Sequence, residues 1–286
     1  MSSRNWLPPE RWWQEHGGAE WLEEVSQRRR LRPIYFLQEM FLDRYFKGMQ
    51  RPLRVLEFGC GYGRHFSYLR RNPRLELYGC DQSEKMLHQA RCILGDEDPI
   101  PKRLVLTDPR RPLPYADRAF DLTYTVSVLI HTPPEVLRSM LSELIRVTRH
   151  SLLHVESNVA AEERLTSPMH EGCWVHNLSY AYHDLGLACV VLPKHFEDED
   201  IYRVTLDADP RVEPPIDEDE AQHSVALDRG ITEGLLEREA ELSRLEGEVR
   251  RLEIRLEQGN TRADEVEAAL HDYRRRVRMI VDSMQM

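Results

Sequence analysis

Apolar positions along this 286-residue chain follow three successive rhythms. In the first fifty residues they fall at helical spacing. Pro8-Pro9-Glu10 opens a first helix, because proline is tolerated in a first helical turn. Trp12, Trp13, Trp21, Leu22 and Val25 follow, with Gly17-Gly18 as a break. A second helix runs from about Pro33 to Phe46 on Ile34, Leu37, Phe41 and Tyr45, and Gly48 ends it. From 53 to 206 short apolar runs alternate with helical patterns. The runs 54–58, 75–80, 103–106, 120–126, 151–155, 188–192 and 202–206 read as strands. Helices are expected near 63–71, 83–94, 134–148 and 177–186. Strand and helix in alternation predict an α/β fold, a largely parallel sheet with helices on both faces. Only a short acidic link joins the last two runs, so they should form an antiparallel hairpin at one edge.

The third rhythm is a heptad. Leu235, Leu242, Val249, Leu256, Ala263, Leu270, Val277 and Met284 fall at a. Ile231, Leu245, Leu252, Val266, Tyr273 and Ile280 fall at d, and only Arg238 and Gly259 spoil the seam. A pattern sustained this long predicts a coiled coil. A continuous helix would be roughly 80 Å long at 1.5 Å per residue. It would drive a homo-oligomer, dimer or trimer, and could dock a partner protein. The expected domains are therefore an N-terminal helical cap (1–52), the α/β domain (53–206), an acidic linker with Pro210, Pro214 and Pro215 (207–230), and the coiled coil (231–286).

Charge and composition narrow the classes. The net charge is −10, and residues 197–220 hold eleven acids against Arg203 and Arg211. No basic surface dominates, so nucleic acid is not an expected partner. Five widely spaced cysteines without a CxxC pair argue against a disulfide framework or a zinc site, and no metal is expected. No apolar stretch is long enough to span a bilayer, and Met1 to Asn5 leads into no signal-peptide pattern. These features predict a cytoplasmic location. The arginines from 274 to 278 leave contact with the inner face of a membrane open.

The sharpest motif is Val55-Leu56-Glu57-Phe58-Gly59-Cys60-Gly61-Tyr62-Gly63. A strand ends in an acid, three alternate glycines follow, and a helix begins. Glycines let the backbone turn tightly and let a ligand come close. A dinucleotide fold would use GxGxxG to aim a helix at a pyrophosphate. Here the spacing is GxGxG, and an acid two residues earlier would repel phosphate and suit an ammonium group. The next strand ends at Asp81, placed to accept both hydroxyls of a ribose. A third ends at Asp108, placed to accept from an adenine amino group. A nucleoside with a cationic amino-acid head and no phosphate is S-adenosylmethionine.

Further segments match in order: Leu113-Pro114-Tyr115-Ala116-Asp117 leading into Phe120-Asp121-Leu122, then Val128-Leu129-Ile130-His131, then Glu143-Leu144-Ile145-Arg146-Val147. On these residues the chain from about 53 to 206 resembles the class I S-adenosylmethionine-dependent methyltransferases. The resemblance implies a Rossmann-like seven-stranded sheet with the last strand antiparallel. It implies that Gly59, Gly61 and Gly63 approach the methionine part and that Glu57 orders the loop. Asp81 would bind ribose, Asp108 adenine, and Met86 would pack near the base. Tyr35 and Arg32 are candidates for the cofactor's carboxylate.

The acceptor side is expected after strands four and five, where parallel sheets place ligands. His131, His170 and His176 are candidate bases, since histidine titrates near neutrality. Trp174 and Tyr180 are candidate substrate contacts. Thr132-Pro133-Pro134-Glu135 is only superficially like the motif used for planar amino acceptors, and the thiolate and magnesium-dependent patterns are missing. A methyltransferase domain followed by a long coiled coil is similar in architecture to bacterial enzymes that cap surface polysaccharides. O-methylation of a sugar hydroxyl is therefore the expected reaction. A small metabolite or natural product is the alternative acceptor, and a non-catalytic coiled-coil scaffold is the alternative class.

Overall fold

The computed structural model describes residues 33–95, 97–157, 167–170, 173–196, 199–209 and 211–212. The side chains of 33, 36, 167–170 and 193–196 are excepted. Outside these it describes Trp13, Gln14 and scattered helical residues between 244 and 275. The expected first helix, the linker and the heptad seam thus lie largely outside the described residues. The chain divides into two compact units, Met1–Val225 and Ala226–Met286.

All seven expected strands form. In order they are β1 (Leu53–Phe58), β2 (Leu75–Asp81), β3 (Leu104–Leu106), β4 (Phe120–Val126), β5 (Thr148–Ser157), β8 (Cys189–Phe196) and β9 (Glu199–Thr205). They lie in the order β3-β2-β1-β4-β5-β9-β8. The pairings from β3 through β5 are parallel, whereas β9 is antiparallel to both β5 and β8. The hairpin expected from the last two strands is present. Its second strand inserts inward, so that β8 is the edge. An unexpected second sheet, β6 (Ser167–His170) with β7 (Cys173–Val175), sits between β5 and the last helix.

The helices are α1 (Pro33–Lys47), α2 (Phe66–Leu69), α3 (Glu84–Leu94), α4 (Pro134–Val147) and α5 (Leu178–His183). α2 and α5 are shorter than their apolar patterns suggest. Alternate residues of a strand point to opposite faces, and both faces here are covered. Val55 and Leu153 join Leu42, Phe46, Phe66 and Leu87 on the face packed by α1, α2 and α3. Leu56 and Leu152 join Leu141, Leu144 and Tyr182 on the face packed by α4 and α5. Chain order reverses between β1 and β4, which opens a crevice at the strands' carboxyl ends, where open α/β sheets bind ligands. Among the described residues no helix is long and apolar enough to cross a membrane.

Candidate active site

The glycine loop follows β1 and is tied to β2. Gly59 N–H and Cys60 N–H both donate to the Cys80 carbonyl, at 2.8 and 3.0 Å, and Gly63 N–H donates to the Cys60 carbonyl at 2.9 Å. Gly61 N–H donates to Asp81 Oδ2 at 2.8 Å. Four loop amides are therefore spent on protein acceptors. A phosphate-binding nest needs those amides free, so this loop is not one. Gly59 has φ +73°, and a Cβ there would lie 2.6 Å from both γ-methyls of Val128. Gly61 has φ +52°, and its nearest neighbour would be Met86 Cε at 3.9 Å. The loop thus runs between two walls, Val128 beyond β4 and Met86 on α3.

Asp81 clasps the loop to α3. Its Oδ1 accepts Ser83 N–H at 2.8 Å, opposite the bond from Gly61. Burial raises its pKa to about 6, the two amides pull it down, and the nearby Glu57 pushes it up. Beside it, Gln82 Oε1 is buried without a hydrogen-bond partner. An orphaned acceptor next to a carboxylate at a strand end suits the hydroxyls of a nucleoside. Asp108 stands near, since Thr107 N–H donates to the Asp81 carbonyl. It is exposed, and it accepts Arg110 N–H at 2.9 Å and faces Arg111 Nε at 3.4 Å.

Glu57 lies beneath the loop. Its Oε1 is 2.6 Å from His65 Nδ1, and its Oε2 accepts the Tyr124 hydroxyl at 2.8 Å. Burial, then Arg64, lowers the His65 pKa against the opposing pull of Glu57, whose carboxylate accepts from Nδ1. Both carboxylate oxygens are engaged from inside the core. Glu57 therefore ties His65, just past the glycine loop, to Tyr124 on β4. On α1, Gln38 accepts Arg64 Nη2 at 2.6 Å and donates to Glu199 Oε2 at 2.6 Å, with Ser127 Oγ donating to Glu199 Oε1 at 2.6 Å. Tyr35 lies under the Arg64 guanidinium, 4.8 Å from ring centroid to Cζ, and Arg32 lies outside the described residues.

The turn after β4 is held from β5. Glu156 is buried, and its Oε1 accepts Thr125 Oγ1 and Val128 N–H while Oε2 accepts Leu129 N–H, at 2.7, 3.0 and 3.0 Å. Burial lifts its pKa to about 7, against the pull of these donors. Thr125 Oγ1 also meets His154 Nδ1 at 2.8 Å, and His154 Nε2 meets the Tyr182 hydroxyl at 2.7 Å. This turn carries His131, whose Nδ1 is 3.5 Å from Cys173 Sγ. No signal in the sequence marks this support, because His154 reads only as a member of the run 151–155 and Glu156 falls one residue beyond it.

The other predicted acceptor residues part company. His176 is buried, and its Nε2 donates to the Thr132 carbonyl at 3.0 Å. It tethers the segment just after β7 to the turn. His170 pairs through its backbone with Cys173, and its side chain lies outside the described residues. Trp174 is half-buried on β7, and Tyr180 is exposed on α5. Among the described residues no group of three His, Cys, Asp or Glu side chains is arranged to hold a metal.

Residues 55–151, a third of the chain, match the methyltransferase-domain family. The fold also matches magnesium protoporphyrin IX methyltransferase from Synechocystis PCC 6803. With bound SAM that structure gives a TM-score of 0.52 at 18% identity, over 72% of this chain and 100% of that one. With bound SAH it gives 0.50 at 17%, over 69% and 98%. This is the class I methyltransferase fold. A SAM-dependent methyltransferase from Aquifex aeolicus is similar at a TM-score of 0.43 and 19% identity, over 58% and 87%. No curated protein matches the chain. The residues of the crevice fit S-adenosylmethionine: an acid-clasped loop, an orphaned acceptor and apolar walls suit a nucleoside with a sulfonium better than a phosphate.

Proposed function

We propose that this chain is an S-adenosylmethionine-dependent methyltransferase acting on a hydroxyl oxygen. The acceptor class is a sugar at the end of a bacterial surface polysaccharide. The observation that carries the donor reading is the Asp81 clasp, a half-buried carboxylate at the crevice floor bonded to Gly61 and Ser83. When bound, the cofactor supplies a methyl group already activated by its sulfonium. The protein's work is then alignment, which can be worth several kcal/mol. Gly59, Gly61 and Gly63 leave room for the methionine part. Asp81 and Gln82 accept from ribose, Met86 packs on the base, and Asp108 receives the adenine amino group.

On the acceptor side His131 takes the hydroxyl's proton, a contribution of roughly 10²–10⁴-fold. His176 and Glu156 hold the turn that carries it, and Trp174 and Tyr180 offer ring faces to a sugar. The glycan reading is supported by the heptad pattern of 231–286, which suits an enzyme that organises a growing polymer.

Calorimetry with S-adenosylmethionine and S-adenosylhomocysteine tests the donor half. Micromolar binding by wild type should be lost in Asp81→Ala. No binding by folded wild type would overturn the enzyme reading and favour a scaffold. Transfer of labelled methyl to glycan ends, lost in His131→Ala with donor affinity intact, tests the rest. Transfer to small metabolites alone would replace the glycan.

A further inference from the structure

Trp13 makes two contacts that lie on opposite sides of the crevice. Its backbone carbonyl accepts the Ser83 hydroxyl at 2.9 Å. Its indole meets the His131 ring edge-on, with centroids 5.0 Å apart at 73°. Ser83 is fully buried and caps α3, three residues before Met86. His131 lies three residues beyond Val128. Met86 and Val128 are the two walls of the glycine loop. In the sheet, β1 and its loop stand between β2, which leads to Ser83, and β4, which leads to His131. A residue bonded to both flanks therefore crosses above the loop.

We propose that Trp13 is the roof of the donor site, its indole face set against the sulfonium and its edge against His131. The inference rests on the donor reading above. A trialkyl sulfonium is a soft, weakly hydrated cation of the kind aromatic faces recognise, as with quaternary ammonium groups. The same ring separates the methyl group from water and fixes the histidine that would face it. Trp13 is thus a binding and positioning residue that nothing in the glycine motif reveals.

The charge of the ligand separates this role from simple packing, because S-adenosylhomocysteine has the same shape without the cation. Full-length wild type, Trp13→Phe and Trp13→Leu are titrated with both ligands by calorimetry, and their unliganded thermal transitions are compared. Phenylalanine keeps a π face and should preserve the preference for S-adenosylmethionine. Leucine should weaken S-adenosylmethionine by roughly 2- to 30-fold while leaving S-adenosylhomocysteine within about 2-fold. Indole emission supplies a second reading that needs no leucine variant. The change on adding S-adenosylmethionine should be larger in wild type than in Trp13→Phe. Equal loss of both ligands, unchanged affinity, or identical emission changes would overturn the proposal while leaving the donor reading intact. Failure of folded wild type to bind either ligand would overturn the donor reading, and this inference with it.

Discussion

Replacing Gly59 by alanine tests how closely the turn after β4 is packed on the glycine loop. The new Cβ would sit 2.6 Å from both γ-methyls of Val128 and 3.2 Å from its Cβ, and the backbone would keep φ +73°. The left-handed conformation costs an L-residue about 1–2 kcal/mol. Forcing a methyl into a filled site costs about 1–3 kcal/mol more. The sum, about 2–5 kcal/mol, corresponds to a fall in Tm of roughly 5–20 °C for a unit of this size. Gly61→Ala is the internal control. Its φ of +52° brings the same backbone penalty, but the nearest atom is Met86 Cε at 3.9 Å, an ordinary contact. It should lose only about 1–2 kcal/mol. Removing the Val128 methyls in a double variant, Gly59→Ala with Val128→Ala, should recover the steric part and not the backbone part. The cycle is read by scanning calorimetry of the full chain, with S-adenosylhomocysteine affinity as the functional readout. A Gly59→Ala variant no more damaged than Gly61→Ala, or no relief from Val128→Ala, would refute the close packing of Val128 on Gly59.

The Asp81 pKa of about 6 sets a pH dependence. Above it the carboxylate is ionised and can accept from ribose; below it a proton occupies one acceptor. Cofactor affinity should therefore rise with pH through about 6 and level off near 7, by isothermal titration, with Asp81→Asn flattening the rise. An affinity indifferent to pH between 5 and 7.5 would refute the assignment. Tyr182→Phe removes the donor to His154 Nε2 inside the core. Leaving that nitrogen unpaired should cost about 1–3 kcal/mol in urea unfolding, and a null effect would show that the bond is dispensable. Burial lowers the His154 pKa to about 3. The unfolded chain takes up this proton near 6.5 and the native state does not. This histidine's stabilising contribution is therefore full above 6.5 and is lost progressively down to about 3. NMR of its imidazole should show a neutral ring at pH 5, and a charged ring there would contradict the buried network.

Much of this protein is determined by local pattern. Strand and helix announce themselves in periods of 2 and 3.6, so seven strands, the long helices and the glycine turn follow from neighbours in sequence. Asp81 is also legible, because it ends an apolar run where a parallel sheet exposes its carboxyl edge. The β6–β7 hairpin escaped, since its strands are three or four residues long and the first carries Pro168 beside the polar Ser167. The position of β9 between β5 and β8 escaped as well, because a hairpin pattern says that two strands pair and not which one turns inward.

The division is sharper at the site. A histidine's sequence context does not say what its nitrogens touch, and that decides its chemistry. His176 is spent on Thr132, 44 residues away, whereas His131 faces Cys173 and Trp13. Tyr124, 67 residues after Glu57, takes one of its oxygens. Glu156 lies just past the apolar run 151–155 and carries no local mark, yet it holds the amides of Val128 and Leu129. Backbone preference and burial periodicity are local, and they suffice to lay out the seven strands, the glycine loop and the acid at its edge. The commitments of the polar groups appear with the fold, because protonation and hydrogen bonding depend on neighbours that folding brings together from distant strands.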